Sequence, residues 1–113
     1  MTEGVVEFGD WEKLDLRVGE IVEVNEIEGA DKLYKLTIDI GEEEKKTVCS
    51  GLKPYYSKED LQNKRVILFV NLKPRKLMGI ESQGMVLAAG NVDHSEVKLL
   101  QPEGDIKVGA RIS

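Results

Sequence analysis

The sequence has few of the residues on which most catalytic and metal sites depend. Among its 113 residues there is one cysteine and one histidine, Cys49 and His94. One thiol excludes an intrachain disulfide framework, and these two residues are too few for a zinc site. The chain also lacks the phosphate-binding pattern GxxxxGK and the nucleophile pattern GxSxG. We therefore predict no cofactor, no metal and no catalytic activity, and we expect Cys49 to be a small buried hydrophobe.

Long apolar runs and aromatic residues are also scarce. The longest apolar runs, residues 66–70 (VILFV) and 85–89 (MVLAA), are far too short to span a bilayer, and the N-terminal residues do not resemble a signal peptide. Aromatic residues make up 5% of the chain, which leaves few rings on which bases could stack. Together with the single cysteine, this predicts a soluble cytoplasmic protein without a membrane partner.

The negative net charge conceals a positive segment. The chain carries a formal net charge of −5. Residues 45–76 contain nine basic and two acidic side chains, whereas residues 1–44 contain four basic and 14 acidic ones. Phosphates respond to the local potential rather than to the net charge, so the positive segment fits a nucleic-acid partner. An ordinary solvated surface fits the same lysines.

Apolar and polar residues alternate in short segments. Residues 15–25 predict a strand with a bulge near Gly19. Residues 34–40 (YKLTIDI) and 45–50 (KKTVCS) predict a hairpin around a turn at residues 41–44. In the first strand four apolar residues share one parity, which predicts one polar face, whereas Ile21 is out of phase and together with Gly19 indicates the bulge. The four residues of shared parity are Leu16, Val18, Val22 and Val24.

The second half predicts one short helix and more strands. Ser57 with Asp60 predicts a capping box, and Asn63 suits the end of that helix. Residues 65–71 are apolar on both faces, as in a central strand, and further strands are predicted at 84–89, 97–100 and 106–112. This order is that of an OB-fold, a five-stranded Greek-key barrel with a helix between strands three and four. We predict this all-β fold, with a C-terminal β extension, as one domain over residues 1–113; a different small β-barrel also fits the pattern.

Residues 71–85 (NLKPRKLMGIESQGM) are the strongest indication of function. Pro74 stiffens the backbone and so fixes the directions in which its basic neighbours project. Those neighbours, Lys73, Arg75 and Lys76, can each neutralise a phosphate. This favours contact with a nucleic-acid backbone over an ordinary basic surface loop.

The uncharged residues of the same segment suit closer contacts. Asn71 and Ser82 can form neutral hydrogen bonds with phosphate, ribose or a base edge. Gly79 and Gly84 allow the backbone to approach a ligand, and Met85 offers a polarisable apolar surface for a base. A buried methionine after the loop is the alternative.

This segment resembles the signature of the tRNA-binding domain at the C-terminus of many bacterial methionyl-tRNA synthetases and in stand-alone structure-specific tRNA-binding proteins. The resemblance extends over residues 8–113. It includes the opening FGDWEKLDLRVG from residue 8, ADKLY from residue 30, IDIG from residue 38 and SGL from residue 50.

The resemblance implies a non-catalytic OB-fold that binds the outer corner of tRNA by shape. It also implies a homodimer joined by residues after about Ala88, acting alone or as a separately encoded subunit of a synthetase. Because the sequence runs from Met1 to Ser113, we expect no fused catalytic domain. Carried over by motif, the RNA-facing positions are Asn71, Lys73, Arg75, Lys76, Ser82 and Met85, with Lys32 and Lys53 as additional ones. Arg17 in the RVG motif either faces RNA or locks the barrel through an acidic partner.

Export chaperones of the CsaA type resemble the same barrel, so binding of unfolded peptides is the alternative function. In that group the middle motif resembles NFPPK and lacks the SxGM ending. This chain has LKPRK from residue 72 and SQGM from residue 82, which favours tRNA. Tyr55 and Tyr56 are the aromatic residues near the basic segment, and we favour a role in packing the helix over stacking on bases.

Overall fold

Short strands dominate the structure, a computed structural model that describes residues 4–113. The strands are β1 (Leu16–Glu26), β2 (Tyr34–Asp39), β3 (Lys46–Ser50), β4 (Arg65–Phe69), β5 (Arg75–Leu77), β6 (Ile80–Ser82), β7 (Met85–Val86), β8 (Ala88–Gly90) and β9 (Val97–Leu99). The helices are α1 (Phe8–Glu12) and α2 (Lys58–Leu61). In the described part of the chain, neither helix has the length and apolar character needed to cross a membrane.

Five strands form one antiparallel sheet in the order β3-β2-β1-β4-β7. This sheet curls into a nearly closed barrel, and α2 lies between β3 and β4 in the chain. Both features confirm the predicted OB-type fold. The remaining strands pair outside this sheet as two small hairpins, β5 with β6 and β8 with β9.

The central strand β4 packs on both of its faces. Val66 and Leu68 point into the main core of the barrel, together with the alternating buried residues of β2. Ile67 points the other way and packs with Leu16 and Val18 of β1 in a second apolar cluster. This confirms the expectation that β4 is central, because only a strand covered on both sides is apolar at successive positions.

The side chains of β1 divide between the two clusters. Leu16 and Val18 face the second cluster, and Ile21, which has the opposite parity, faces the main core. The register with β2 shifts directly after Ile21, and the extra residue reverses the parity of the strand, so Val24 faces the main core as Ile21 does. The predicted bulge is therefore confirmed, but the predicted grouping of the four apolar residues on one face is wrong, and Val22 lies outside both buried clusters.

The predicted capping box is confirmed at the start of α2. The Ser57 hydroxyl accepts a hydrogen bond from the Asp60 amide (3.1 Å), and the Asp60 carboxylate accepts one from the Ser57 amide (3.4 Å). These bonds satisfy amide groups that the first turn of a helix leaves without partners. Asn63 follows the helix with a φ of 68°, a conformation that asparagine tolerates better than most residues.

The C-terminal segment departs from the prediction. Residues 106–112 form no strand and reach β1 through a single bridge between Arg17 and Arg111 and a few backbone bonds, such as that from the Gly109 amide to the Val18 carbonyl (2.8 Å). Gly109 has a φ of 93°, which interrupts extended backbone. The predicted strand at 84–89 is divided into β7 and β8, and α1 was not predicted.

Candidate nucleic-acid interface

The basic part of the signature segment is a β-hairpin rather than a loop. β5 and β6 pair with Lys76 opposite Glu81 and Leu77 opposite Ile80. The turn consists of Met78 and Gly79, whose φ angles are 53° and 80°. Positive φ at both turn positions is typical of the two-residue hairpin turn that matches strand twist. We call residues 73–82 the basic hairpin.

The three cations of the basic hairpin have no acidic partner in the described part of the chain. Lys73, Arg75 and Lys76 are exposed, and none of them forms an ion pair within residues 4–113. Lys76 and Glu81 are cross-strand neighbours on one face of the hairpin, but they do not form a salt bridge. Unpaired exposed cations attract anions without first having to break an internal contact.

The basic hairpin lies beside the loop between β1 and β2. A Cβ atom at Gly29 in that loop would lie 3.7 Å from the terminal methyl group of Met78. Lys32 is exposed in the same loop. The hairpin itself connects β4 to β7, so it occupies the position of the loop that, together with the β1–β2 loop, binds oligonucleotides in OB-folds. Lys32 and the basic hairpin therefore border one face.

Ser82 lies inside the fold. Only 4% of its surface is exposed, and its hydroxyl accepts a hydrogen bond from the Cys49 amide (3.0 Å) and donates one to the Gly84 carbonyl (3.3 Å). The neighbouring Gln83 bonds to Thr47 of β3. The hydroxyl that the motif predicts to face RNA thus joins the end of the hairpin to the barrel.

Asn71 anchors the start of the hairpin. Its side-chain oxygen accepts a hydrogen bond from the Asp15 amide (2.8 Å), and its side-chain nitrogen donates one to the Lys13 carbonyl (2.7 Å). The side chain is exposed, yet both of its polar atoms are engaged with the segment before β1. The first foot of the hairpin is therefore tied to the N-terminal segment.

The last residues of the signature have different roles. A Cβ atom at Gly84 would lie 2.7 Å from the Phe69 carbonyl oxygen, so this glycine admits the backbone of β4, not that of a ligand as we had predicted. Met85 keeps 44% of its surface exposed. It is therefore accessible from outside the barrel, unlike the buried methionine of the alternative interpretation.

Arg17 pairs with acidic residues, as expected if its role is to lock the barrel rather than to face RNA. Its guanidinium donates to both carboxylate oxygens of Asp15 (2.9 Å each) and to Glu42 (3.3 Å). Such two-point pairs are strong and specific in geometry. The Arg17 hydrogen bond holds the pKa of Asp15 below its usual value. Arg111 lies 3.8 Å from the same carboxylate, which ties the C-terminal segment to this network.

Lys53 is also paired within the protein. Its ammonium group lies 2.8 Å from the Glu26 carboxylate and donates to the Ala30 carbonyl (3.3 Å). The hydrogen bond with Lys53 lowers the pKa of Glu26, and the same bond raises the pKa of Lys53. Lys53 therefore contributes less free positive charge to the surface than Lys32 does.

The two tyrosines pack α2 and its loop against the barrel, as favoured from the sequence. Tyr56 packs against the main core, and its hydroxyl accepts a hydrogen bond from the Leu99 amide (3.1 Å). The hydroxyl of Tyr55 donates to the His94 carbonyl (2.8 Å). Both rings thus join the α2 region to the β8–β9 hairpin.

Cys49 is buried, as expected. Burial raises the pKa of its thiol, which is the opposite of the shift that a nucleophilic cysteine needs. Within residues 4–113 there is no group of three His, Cys, Asp or Glu side chains placed to hold a metal ion.

An OB-type barrel whose β4–β7 connection carries three exposed cations, without ion pairs in residues 4–113, is typical of nucleic-acid-binding proteins. The model of the tRNA binding domain family matches residues 16–111, and the chain therefore belongs to that family.

Individual relatives agree with this assignment. The chain is 54% identical over 107 residues to the methionine–tRNA ligase of Thermococcus onnurineus, an alignment that covers 95% of this chain but 14% of that enzyme. A crystal structure of a MetRS related protein from Pyrococcus horikoshii matches with a TM-score of 0.91 and 33% identity, covering 98% of this chain and 100% of that one. The CsaA chaperone protein from Picrophilus torridus matches with a TM-score of 0.85 and 35% identity, covering 96% of this chain and 100% of that one.

Proposed function

We propose that this chain is a non-catalytic module that binds tRNA by shape, at its outer corner, through the basic hairpin. The observation that carries the proposal is a set of three exposed cations, Lys73, Arg75 and Lys76, that form no ion pair within residues 4–113. They lie on a hairpin whose first foot is tied to the N-terminal segment and whose second foot is tied to the barrel. A fixed array of cations can match the spacing of phosphates on a folded RNA, whereas a mobile array has to be ordered on binding. Membership of the tRNA binding domain family supports tRNA as the RNA.

The residues have separate roles in this proposal. Lys32 and the three hairpin cations contact phosphates, and Met85 provides an apolar surface for an unstacked base. Asn71 and Ser82 hold the hairpin in place, since their polar atoms are bonded within the protein. Arg17 and Lys53, which are paired with carboxylates, stabilise the barrel and its loops.

The proposal includes a homodimer in the cytoplasm that acts alone or with a methionyl-tRNA synthetase. The similarity to part of a methionine–tRNA ligase supports the synthetase as partner. In the segment after Ala88, the apolar residues Leu100 and Ile106 expose 41% and 48% of their surfaces. Exposed apolar residues of this kind are typical of a surface that a second subunit covers. Light scattering at micromolar concentration should give the mass of a dimer, and a monomer mass would refute this part.

Filter binding to mixed tRNAs tests the proposed interface. We expect wild type to bind with micromolar or tighter affinity. In a plot of the logarithm of the binding constant against the logarithm of the salt concentration, each phosphate contact should contribute about −1 to the slope. The Lys73→Ala/Lys76→Ala variant should bind more weakly and reduce that slope by about two.

A matched control removes the same charge elsewhere. Lys98 and Lys107 are exposed and lie outside the basic hairpin, so Lys98→Ala/Lys107→Ala should keep the wild-type slope. Both residues follow Ala88, so light scattering must first give this variant the same mass as wild type. If wild type does not bind tRNA at low salt, or if both double variants bind equally well, the hairpin is not the tRNA site.

Binding of unfolded peptides is the second candidate function, because the similarity to the CsaA chaperone extends over nearly the whole chain. The same titrations with a fluorescent, permanently unfolded polypeptide separate the two functions. Tight binding of the polypeptide that tRNA does not displace would favour the chaperone function.

A further inference from the structure

The two outer strands of the five-stranded sheet, β3 and β7, share no continuous backbone ladder. The gap is closed by Gln83. Its amide donates to the Thr47 carbonyl (2.8 Å), and its side-chain carbonyl accepts from the Thr47 amide (2.8 Å). The next outward-facing amide of β3 is that of Cys49, and it donates to the Ser82 hydroxyl. Two side chains thus satisfy amide groups that a sixth strand would otherwise have to satisfy.

We propose that Gln83 is a positioning residue that sets the angle at which the basic hairpin leaves the barrel. This inference rests on the proposed function of that hairpin. A single hydrogen bond acts as a hinge about which a segment can rotate. Gln83 makes two short hydrogen bonds to Thr47: its backbone amide donates one, and its side-chain carbonyl accepts the other. This two-point attachment restricts rotation of the segment as well as its distance from β3.

The position of Gln83 in the chain allows it to set the direction of the basic hairpin. It directly follows Ser82, the last residue of β6, and Arg75 lies opposite Ser82 across the hairpin. A change in the direction of the backbone at Gln83 therefore moves Arg75 and the neighbouring cations together. On the other side, Gly84 is packed against the Phe69 carbonyl, so the chain cannot adjust there. The foot of the hairpin is fixed at three successive residues.

The bond from the Thr47 amide is the part that a substitution can remove selectively. Gln83→Met keeps the length of the side chain but removes the oxygen acceptor, and the Thr47 amide loses its partner. Gln83→Glu keeps an oxygen at the same position but removes the side-chain amide donor. A glutamine that bonds to backbone elsewhere provides the control: Gln62 donates to the Val22 carbonyl (2.6 Å), at the C-terminal end of α2.

Three measurements on the full chain decide the inference. They are amide hydrogen exchange of Thr47, NMR order parameters of residues 75–82, and tRNA affinity as a function of salt. We expect Gln83→Met to speed Thr47 exchange and to weaken tRNA binding, each by about tenfold, as the loss of one hydrogen bond to a partly buried group predicts. The order parameters of the hairpin should fall, and the salt slope should decrease because fewer phosphates are met at once.

The conservative and control variants should behave differently. Gln83→Glu should restore Thr47 protection and hairpin order. Its affinity should return toward that of wild type as salt screens the added charge. Gln62→Met should leave all three readouts at their wild-type values. If Gln83→Met loses its folded amide spectrum, Gln83→Asn, which withdraws the carbonyl by one methylene, takes its place in the same comparison.

The inference is overturned if Gln83→Met frees the Thr47 amide while hairpin order and tRNA affinity stay unchanged, since Gln83 would then only close the barrel. Equal losses of affinity in Gln83→Met and in Gln83→Glu at high salt would also overturn it, because the side-chain amide would then contact RNA directly. Failure of wild type to bind tRNA would instead defeat the proposed function, and the order parameters would still decide whether Gln83 orients the hairpin.

Discussion

Replacing Gly84 with alanine tests how tightly the end of the signature segment is packed. The added Cβ would lie 2.7 Å from the Phe69 carbonyl oxygen and 3.3 Å from a Leu68 methyl group. The oxygen cannot retreat easily, because Phe69 is paired with Leu16 in the barrel ladder. Overpacking of this kind costs about 1–3 kcal/mol, and the lower entropy of the unfolded alanine chain returns about 0.4–1 kcal/mol.

The net effect of Gly84→Ala is a loss of about 1–2 kcal/mol, or a melting temperature lower by about 4–8 °C for a domain of this size. Calorimetry and urea denaturation measure it. Gly104→Ala is the matched control, because its Cβ meets nothing within 4 Å and its φ is not positive; it should stabilise the protein slightly. If Gly84→Ala melts at or above the temperature of Gly104→Ala, β4 and β7 are not packed as described.

Two further predictions concern charge. Glu81→Gln removes the carboxylate opposite Lys76. In water, this carboxylate repels a phosphate at about 7 Å by about 0.6 kcal/mol. The affinity for tRNA should therefore rise about two- to threefold at low salt, and the gain should vanish at high salt. An unchanged affinity in filter binding at low salt would show that no phosphate approaches Lys76. Asp15→Asn should destabilise the protein at neutral pH by about 1–3 kcal/mol. The folded pKa of Asp15 is lowered by Arg17, so its contribution is present above its unfolded pKa of about 4 and is lost as the pH falls through the folded pKa. Urea denaturation from pH 7 to pH 2.5 should therefore show a shallower loss of stability in Asp15→Asn, and parallel curves would contradict the pairing.

Local sequence patterns predicted the parts of the fold that local physics determines. The alternation in β2, the capping box at Ser57 and the two-sided apolar strand β4 each follow from residues within a few positions of one another. The order of these elements was enough to predict the OB-type barrel. The basic cluster at Lys73 to Lys76 was likewise visible as composition, because exposed charge needs no tertiary partner to be recognised.

The errors concern features that depend on distant contacts. The sequence predicts a bulge in β1, but the pairing with β2 places it after Ile21, so Val22 and Val24 do not share the face of Leu16 and Val18. The segment at 106–112 has an apolar pattern, but Gly109 turns it away from a regular ladder. The motif predicts that Asn71 and Ser82 face RNA, but it does not reveal that they also bond to the Asp15 and Cys49 amides, 56 and 33 residues away in the chain. Gln83 was not singled out, since no local pattern shows that it faces the open edge of β3.

Covering the β3 edge has a consequence for how the protein behaves at high concentration. A bare strand edge is a template on which a second chain can add a strand, and such pairing starts aggregation. Here the outward amides of Thr47 and Cys49 are occupied by Gln83 and Ser82. The residues that hold the basic hairpin also protect the barrel against edge-to-edge association, so the signature segment contributes to solubility as well as to the geometry of the hairpin.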